Sequence, residues 1–371
     1  MQAVTHRNDC RLCNSTRLDL VLPIRPSPIG DEFVPADRLD QPQDLYPLDT
    51  YLCLDCGHLQ NLDIVNPDIL FRNYTYRSSV TLGLVDHFKA YAETVVSRFS
   101  IEPGALVVEI GSNDGSLLKA YKAHGLRVIG VDPAVSIAKR ASEDGIPTQA
   151  DFFSYKVAED IRAQQGPAAV MCANNVFAHV DNITDIVKGI RMLLAPDGIF
   201  VFEVSYVPDI IDNFVFDTIY HEHVSHHALL PLEKFFNRHD MSLFDVERVK
   251  SKGGSIRGYA QCKSSGQRLV SERLTGMMTE ERARGIELPE IYRRFYRDIE
   301  ERKRATLAHV DAALAQGKHV AAFGASTTTT TLLYHFELQS RIEFIADDNP
   351  IKQGCYSPGA HIPVLPSSEL L

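Results

Sequence analysis

Short apolar runs recur along the middle of the chain, each broken by small or polar residues. Residues 105–110, 127–131, 146–150, 168–173 and 198–203 read as five strands. The first runs into Gly111-Ser-Asn-Asp-Gly115 and then Ser-Leu-Leu-Lys-Ala-Tyr, the order strand, glycine turn, helix. Residues 242–249 and 255–262 are two further strand-like runs, and Lys250-Ser-Lys-Gly-Gly254 between them predicts a hairpin. Downstream, residues 271–316 have helix periodicity and a heavily charged face. They lead into a smaller strand-helix-strand unit: a strand at 318–324, a turn and helix at 325–336, and a strand at 342–346 that ends in Asp347-Asp348.

A parallel sheet closed by an antiparallel hairpin is the architecture of class I methyltransferases rather than of nucleotide dehydrogenases. The glycine turn agrees with this. It reads Gly-x-x-x-Gly instead of Gly-x-Gly-x-x-Gly, and Glu109 precedes it. That carboxylate would repel a pyrophosphate but attract the sulfonium and ammonium of S-adenosylmethionine (SAM). Asp132, closing the second strand, is placed to accept from ribose hydroxyls, and Asp151 with Phe152 suits the adenine amino group and ring face. Gly111, Asn113, Gly115 and Asn174 complete the candidate cofactor set.

With 371 residues, several domains are expected. We place a zinc-binding lobe at 1–72, a SAM-dependent methyltransferase domain at 73–265, and a helical linker with a Rossmann-like lobe at 266–371. The fold class is thus α/β, a Rossmann-like centre flanked by two smaller lobes. Cys10-Arg-Leu-Cys13 and Cys53-Leu-Asp-Cys56 are knuckles that can supply four thiolates to one tetrahedral zinc. Such a closed site is structural, and the proline-rich stretch between the knuckles has few apolar positions from which to build a core. Cys172, Cys262 and Cys355 read as core or incidental residues. No apolar run approaches the roughly 20 residues that span a bilayer, and the start lacks an apolar leader, so a cytoplasmic protein is expected. The net charge of −10 disfavours nucleic acid as a partner.

Residues 220–227, Tyr-His-Glu-His-Val-Ser-His-His, hold four of the fourteen histidines. Placed after the fifth strand, they are expected to face the cofactor. Acid/base chemistry and a metal nest are both open, since His221 and His223 would share a face of a strand. His179, after the fourth strand, is a further candidate to contact substrate.

Together the cysteine knuckles, Glu109-Ile-Gly-Ser-Asn-Asp-Gly115, Ala173-Asn-Asn-Val-Phe-Ala-His179 and Phe216-Asp-Thr-Ile-Tyr-His-Glu-His223 resemble the sugar-nucleotide C-methyltransferases of branched deoxysugar biosynthesis. The resemblance covers almost the whole chain. It implies methylation of carbon 3 of a 4-keto-deoxysugar on a nucleoside diphosphate, usually dTDP, through a base-generated enolate. It also implies His223 as the base, Glu222 and Tyr220 as groups that position the sugar or the oxyanion, and Tyr76 in the same pocket. The carboxy-terminal lobe would help to hold the nucleotide sugar. In that lobe the family commonly has Lys-Gly in the turn that here reads Gly324-Ala-Ser-Thr-Thr-Thr-Thr-Thr331. That turn is either a diphosphate seat or a plain helix cap. A SAM enzyme with another acceptor, and a non-catalytic sugar-nucleotide-binding protein, are the alternatives.

Overall fold

A computed structural model describes residues 3–72, 74, 78–80 and 83–370. Tyr76 lies outside the described residues.

The strands of the central sheet are β1 (Leu106–Ile110), β2 (Arg127–Val131), β3 (Thr148–Gln149), β4 (Ala168–Asn174), β5 (Leu194–Ser205), β6 (Met241–Val249) and β7 (Ser255–Cys262). Their spatial order is β3-β2-β1-β4-β5-β7-β6. β1 to β5 are parallel, and β7 is antiparallel to both β5 and β6. The predicted hairpin is present, with its second strand inserted next to β5.

Every residue of β1 is buried, as a parallel strand covered on both faces requires. Alternate side chains divide between two cores. Val107, Val170, Cys172 and Val201 pack beneath the helices Leu84–Phe99 and Ser116–Ala123. Val108, Met171, Ala173, Phe200 and Phe202 face the helices Tyr155–Gln165, Ile183–Leu193 and Leu229–Arg238.

A third core joins the two ends of the chain. Val21, Leu22, Ile24, Leu48 and Leu52 pack with Tyr292, Phe295 and Ile299 of the helix Pro289–Ala315 and with Leu333, Phe336 and Ile345. The proline-rich stretch thus contributes more core than its sequence suggests, because its few apolar side chains meet a surface supplied from the far end of the chain. Val34–Pro35 even pairs as a strand with Cys355–Tyr356. The carboxy-terminal strands are shorter than predicted, only Ala322–Phe323 and Ile345–Ala346. Glu343 N–H still donates to Val320 O at 2.9 Å, so pairing continues beyond them in irregular form.

Residues 220–227 do not stay with the central sheet. Ser225–His226 joins Leu59–Gln60 as an edge strand of the four-stranded sheet in the amino-terminal lobe. No helix among the described residues is long and apolar enough to cross a membrane.

Candidate active site

The glycine turn after β1 owes its shape to left-handed backbone at Gly111 and Gly115, with φ of 65° and 71°. A Cβ on Gly111 would lie 2.3 Å from Val176 Cγ2, so the position tolerates only glycine. Asp132 Oδ2 accepts from Asn113 N–H at 2.8 Å and Oδ1 from Ala134 N–H at 2.9 Å, which fixes the turn against the end of β2. Asn113 Oδ1 in turn accepts from Ser78 N–H at 2.9 Å.

This turn opens into a cavity of about 420 Å³. Of the residues singled out in the sequence, Glu109, Gly111, Asn113, Asp132, Phe152, Asn174, His179, Tyr220 and Glu222 line it. Gly115 and Asp151 do not. Gly115 precedes the helix Ser116–Ala123, and the Asp151 carboxylate accepts from Phe152 N–H at 2.8 Å, holding the loop that presents the Phe152 ring. His223 is also absent from the wall. It stands behind Tyr220, whose hydroxyl lies 2.9 Å from its Nε2 with the rings stacked at 4.0 Å.

Several residues of the cavity wall have unmet polar demand. Glu109 Oε2 and both polar atoms of the Asn174 amide are buried without partners, and so is His179 Nε2. Burial raises the Glu109 carboxyl well above the usual range, and the Asp132 and Asp114 charges push the same way. A cationic, hydrogen-bonding ligand would relieve this cost, and the amino-acid end of SAM supplies one. Phe152 carries the Arg72 guanidinium 4.7 Å from its ring centroid.

Behind Tyr220, His223 Nδ1 is 2.7 Å from Thr218 O. A carbonyl only accepts, so Nδ1 carries the proton and Nε2 accepts from the Tyr220 hydroxyl. Desolvation pushes His223 down to about 3, against the Thr218 carbonyl and helped by the Lys252 and His227 charges. Glu222 goes the other way, up to about 7, through desolvation and the Asp31 charge, with Lys252 and Tyr74 opposing. Its Oε2 lies 3.4 Å from the Tyr74 hydroxyl.

The Glu222 shift has a consequence for stability. Its proton is held more tightly in the folded than in the unfolded chain, so the associated stability is fully present below about 4.5 and is lost as pH rises through about 7. The loss is on the order of 3 kcal/mol at most. Glu222→Gln is expected to raise Tm over the wild type at pH 8 and to change it little at pH 5. Parallel thermal melts check this, and an equal difference at both pH values would contradict a raised pKa.

The metal nest does not form. His221 Nε2 goes to Tyr46 O at 3.1 Å, His226 Nε2 to Asn61 Oδ1 at 3.0 Å and His227 Nε2 to Phe177 O at 3.3 Å. These nitrogens are spent on separate partners. Among the described residues the one group suited to a metal is Cys10, Cys13, Cys53 and Cys56, whose sulfurs lie within 4.8 Å of one another. Cys10 and Cys56 are 3.6 Å apart, Cys13 and Cys53 3.5 Å. A tetrahedron with Zn–S bonds of 2.3 Å has edges of about 3.8 Å, so the donor set fits zinc and leaves no open position.

Two groups were not legible as site residues. Lys252, from the β6–β7 turn, reaches the cavity wall. Arg11, between the first two cysteines, is buried and donates through Nη1 to Val224 O and Gln60 Oε1 and through Nη2 to Asn61 O at 2.8 Å. It also reaches Asp181 on the cavity wall, at 3.5 Å. The zinc knuckle therefore grips the chain one residue after His223.

Strand order, glycine turn and acid-ended strands define a class I methyltransferase that uses SAM. A methyltransferase domain description matches residues 85–244, flanked by a putative zinc binding domain at 10–71 and a C-methyltransferase C-terminal domain at 250–371. C-methyltransferase NovU of Streptomyces niveus is 35% identical over 363 residues, 96% of this chain and 85% of its own. The chain belongs to this C-methyltransferase family and is a SAM-dependent enzyme with a zinc-binding lobe. Among solved structures, magnesium protoporphyrin IX methyltransferase from Synechocystis aligns over 48% of this chain and 80% of its own, at 14% identity and a TM-score of 0.36. The CurJ carbon methyltransferase aligns over 50% and 57%, at 16% identity and 0.37.

Proposed function

We propose that the enzyme methylates carbon 3 of a nucleoside-diphosphate-linked 4-keto-deoxysugar, most simply a dTDP sugar, by way of an enolate. The observation that carries this reading is the Tyr220–His223 pair, whose tyrosine lines the same cavity as the glycine turn and Glu109. Carbon is a weak nucleophile until a proton beside a ketone is removed, so C-methylation calls for a base of this kind. The motif resemblance supplies the sugar and the carbon.

In this reading Glu109, Gly111, Asn113, Asp132, Phe152 and Asn174 hold SAM, which supplies an electrophilic methyl group. Tyr220 meets the substrate. Its oxygen takes the carbon-bound proton as its own proton passes to His223 Nε2, and Thr218 O steadies the imidazolium through Nδ1. The depressed basicity of His223 belongs to the enzyme without substrate. The enolate brings a negative counter-charge that offsets the desolvation of the imidazolium. His179, stacked on Phe71 with centroids 5.6 Å apart and 5.0 Å from the His223 ring, closes the side of the pocket.

A panel of dTDP-linked keto- and hydroxy-sugars, incubated with SAM, tests the substrate. We expect a new C–CH₃ signal at carbon 3 with the 4-keto sugar only. Transfer to a hydroxyl, or to no keto sugar at all, would remove the reading.

A second reading, C-methylation of a ketone not carried on a nucleotide, draws on the threonine-rich turn. Thr329 Oγ1 donates to Gly324 O at 2.5 Å, Thr330 Oγ1 to Gly30 O at 2.9 Å and Thr331 Oγ1 to Ile219 O at 3.0 Å. Those hydroxyls serve the fold, with Ser326 and Thr329 forming a capping box.

A further inference from the structure

The charges around the cavity are unevenly placed. Glu109, Asp132, Asp181, Asp185 and Glu222 line it, and Lys252 is the one lysine or arginine among the described residues that do. Asp181 is already paired with Arg7 at 3.0 Å. Lys252 makes no ion pair among the described residues, although the Glu222 and Glu203 charges act on it. Protein crowding around the ammonium lowers its pKa while those two acids oppose the change, even though solvent reaches the residue.

The backbone that delivers this lysine is unusual. Lys252 adopts φ 49° and ψ 41°, left-handed for a residue with a Cβ, and is followed by Gly253 and Gly254 at φ 81° and 122°. Such a conformation costs about 1 kcal/mol or more. A solvent turn relieves it with glycine or asparagine, yet here a lysine holds the position. Gly253 O accepts from Asn213 Nδ2 at 2.7 Å, and a Cβ on Gly254 would lie 2.4 Å from Asp209 Cβ. The turn is pinned from both sides, aiming a long cation into the pocket wall shared with Tyr220 and Glu222.

We propose that Lys252 is a catalytic residue that stabilises the enolate oxygen formed when the acceptor loses its proton, a role that rests on the keto-sugar reading above. The C–H bond breaks, its proton leaves toward Tyr220 and His223, and the electron pair delocalises onto the carbonyl oxygen. Lys252 offsets that charge. The enolate carbon then forms the new C–C bond as the methyl–sulfur bond breaks, its electron pair staying on sulfur. The carbonyl re-forms, and the charge facing Lys252 disappears. A cation delivered by a pinned turn, facing charge that exists only between these two events, favours the transition state over the bound substrate.

The test compares the wild type with Lys252→Met, Lys252→Arg and Lys252→Gly, using a dTDP-linked 4-keto-deoxyhexose as probe. Methyl transfer is read as kcat and KM, and proton removal as exchange of the carbon 3 hydrogen in deuterium oxide. Lys252→Met should lower kcat and the exchange rate about 100-fold with KM within threefold. Lys252→Arg should recover activity to within tenfold of the wild type. Lys252→Gly, which removes both the amine and the backbone cost, should match Lys252→Met in rate while keeping the wild-type Tm or exceeding it. Unchanged kcat in Lys252→Met, or a raised KM at constant kcat, overturns the role. A wild type that neither exchanges nor methylates the keto sugar overturns the substrate reading itself, and the Lys252 role with it.

Discussion

Replacing His223 with alanine is expected to lower turnover by about two to four orders of magnitude, the range that a positioned acid/base group contributes. Tyr220→Phe should cost a comparable amount. The two act as one unit through the 2.9 Å hydrogen bond, so the double variant should be little worse than either single one. SAM affinity, measured by calorimetry, should hardly change, because neither group belongs to the glycine turn. Exchange of the substrate hydrogen with deuterium oxide should be lost together with methyl transfer. His223→Ala with turnover within threefold of the wild type would remove the pair from the mechanism. If Glu222→Gln alone abolished exchange, the Glu222 carboxylate, held up near neutrality, would be the base in its place.

Removing zinc is the second large effect. Metal analysis should find about one zinc per chain, since four thiolates close a single site. Zinc binding in small cysteine-knuckle domains contributes about 10 kcal/mol, more than most domains have to spare. Chelation or Cys53→Ala should therefore lower Tm by about 10 °C or more. Turnover should fall even at temperatures where the central sheet stays folded by circular dichroism. The reason is geometric: Ser225–His226 is an edge strand of the zinc lobe, and Arg11 holds Val224 O. A zinc-free preparation with unchanged Tm and unchanged turnover would contradict both parts.

Much of this architecture could be read directly along the chain. The strands of the central sheet, the glycine turn and the cysteine knuckles are local patterns, each set by a few neighbouring residues. Contacts between distant segments were not legible. Nothing near Val21 or Leu48 announces that they share a core with Phe295 and Phe336. The same holds for residues 220–227, where composition pointed to chemistry but not to which ring faces the cavity. Only the fold shows Tyr220 in front, His223 behind, and the other histidines spent on carbonyls and an amide. Lys252 was hidden for a different reason. In sequence it is one polar residue in a hairpin turn, and its approach to the cavity depends on where β7 inserts beside β5.

Arg11 makes the amino-terminal lobe hard to exchange. Its guanidinium takes acceptors from three places: Gln60 and Asn61 of its own lobe, Val224 of the segment that follows His223, and Asp181 beyond β4. Truncating the lobe would leave the Val224 carbonyl without its Arg11 and Asn61 donors. Through Arg11, the zinc knuckle, the Gln60–Asn61 strand, Asp181 and Val224 are tied into one structural unit spread over three stretches of chain. Engineering of acceptor preference should move them together.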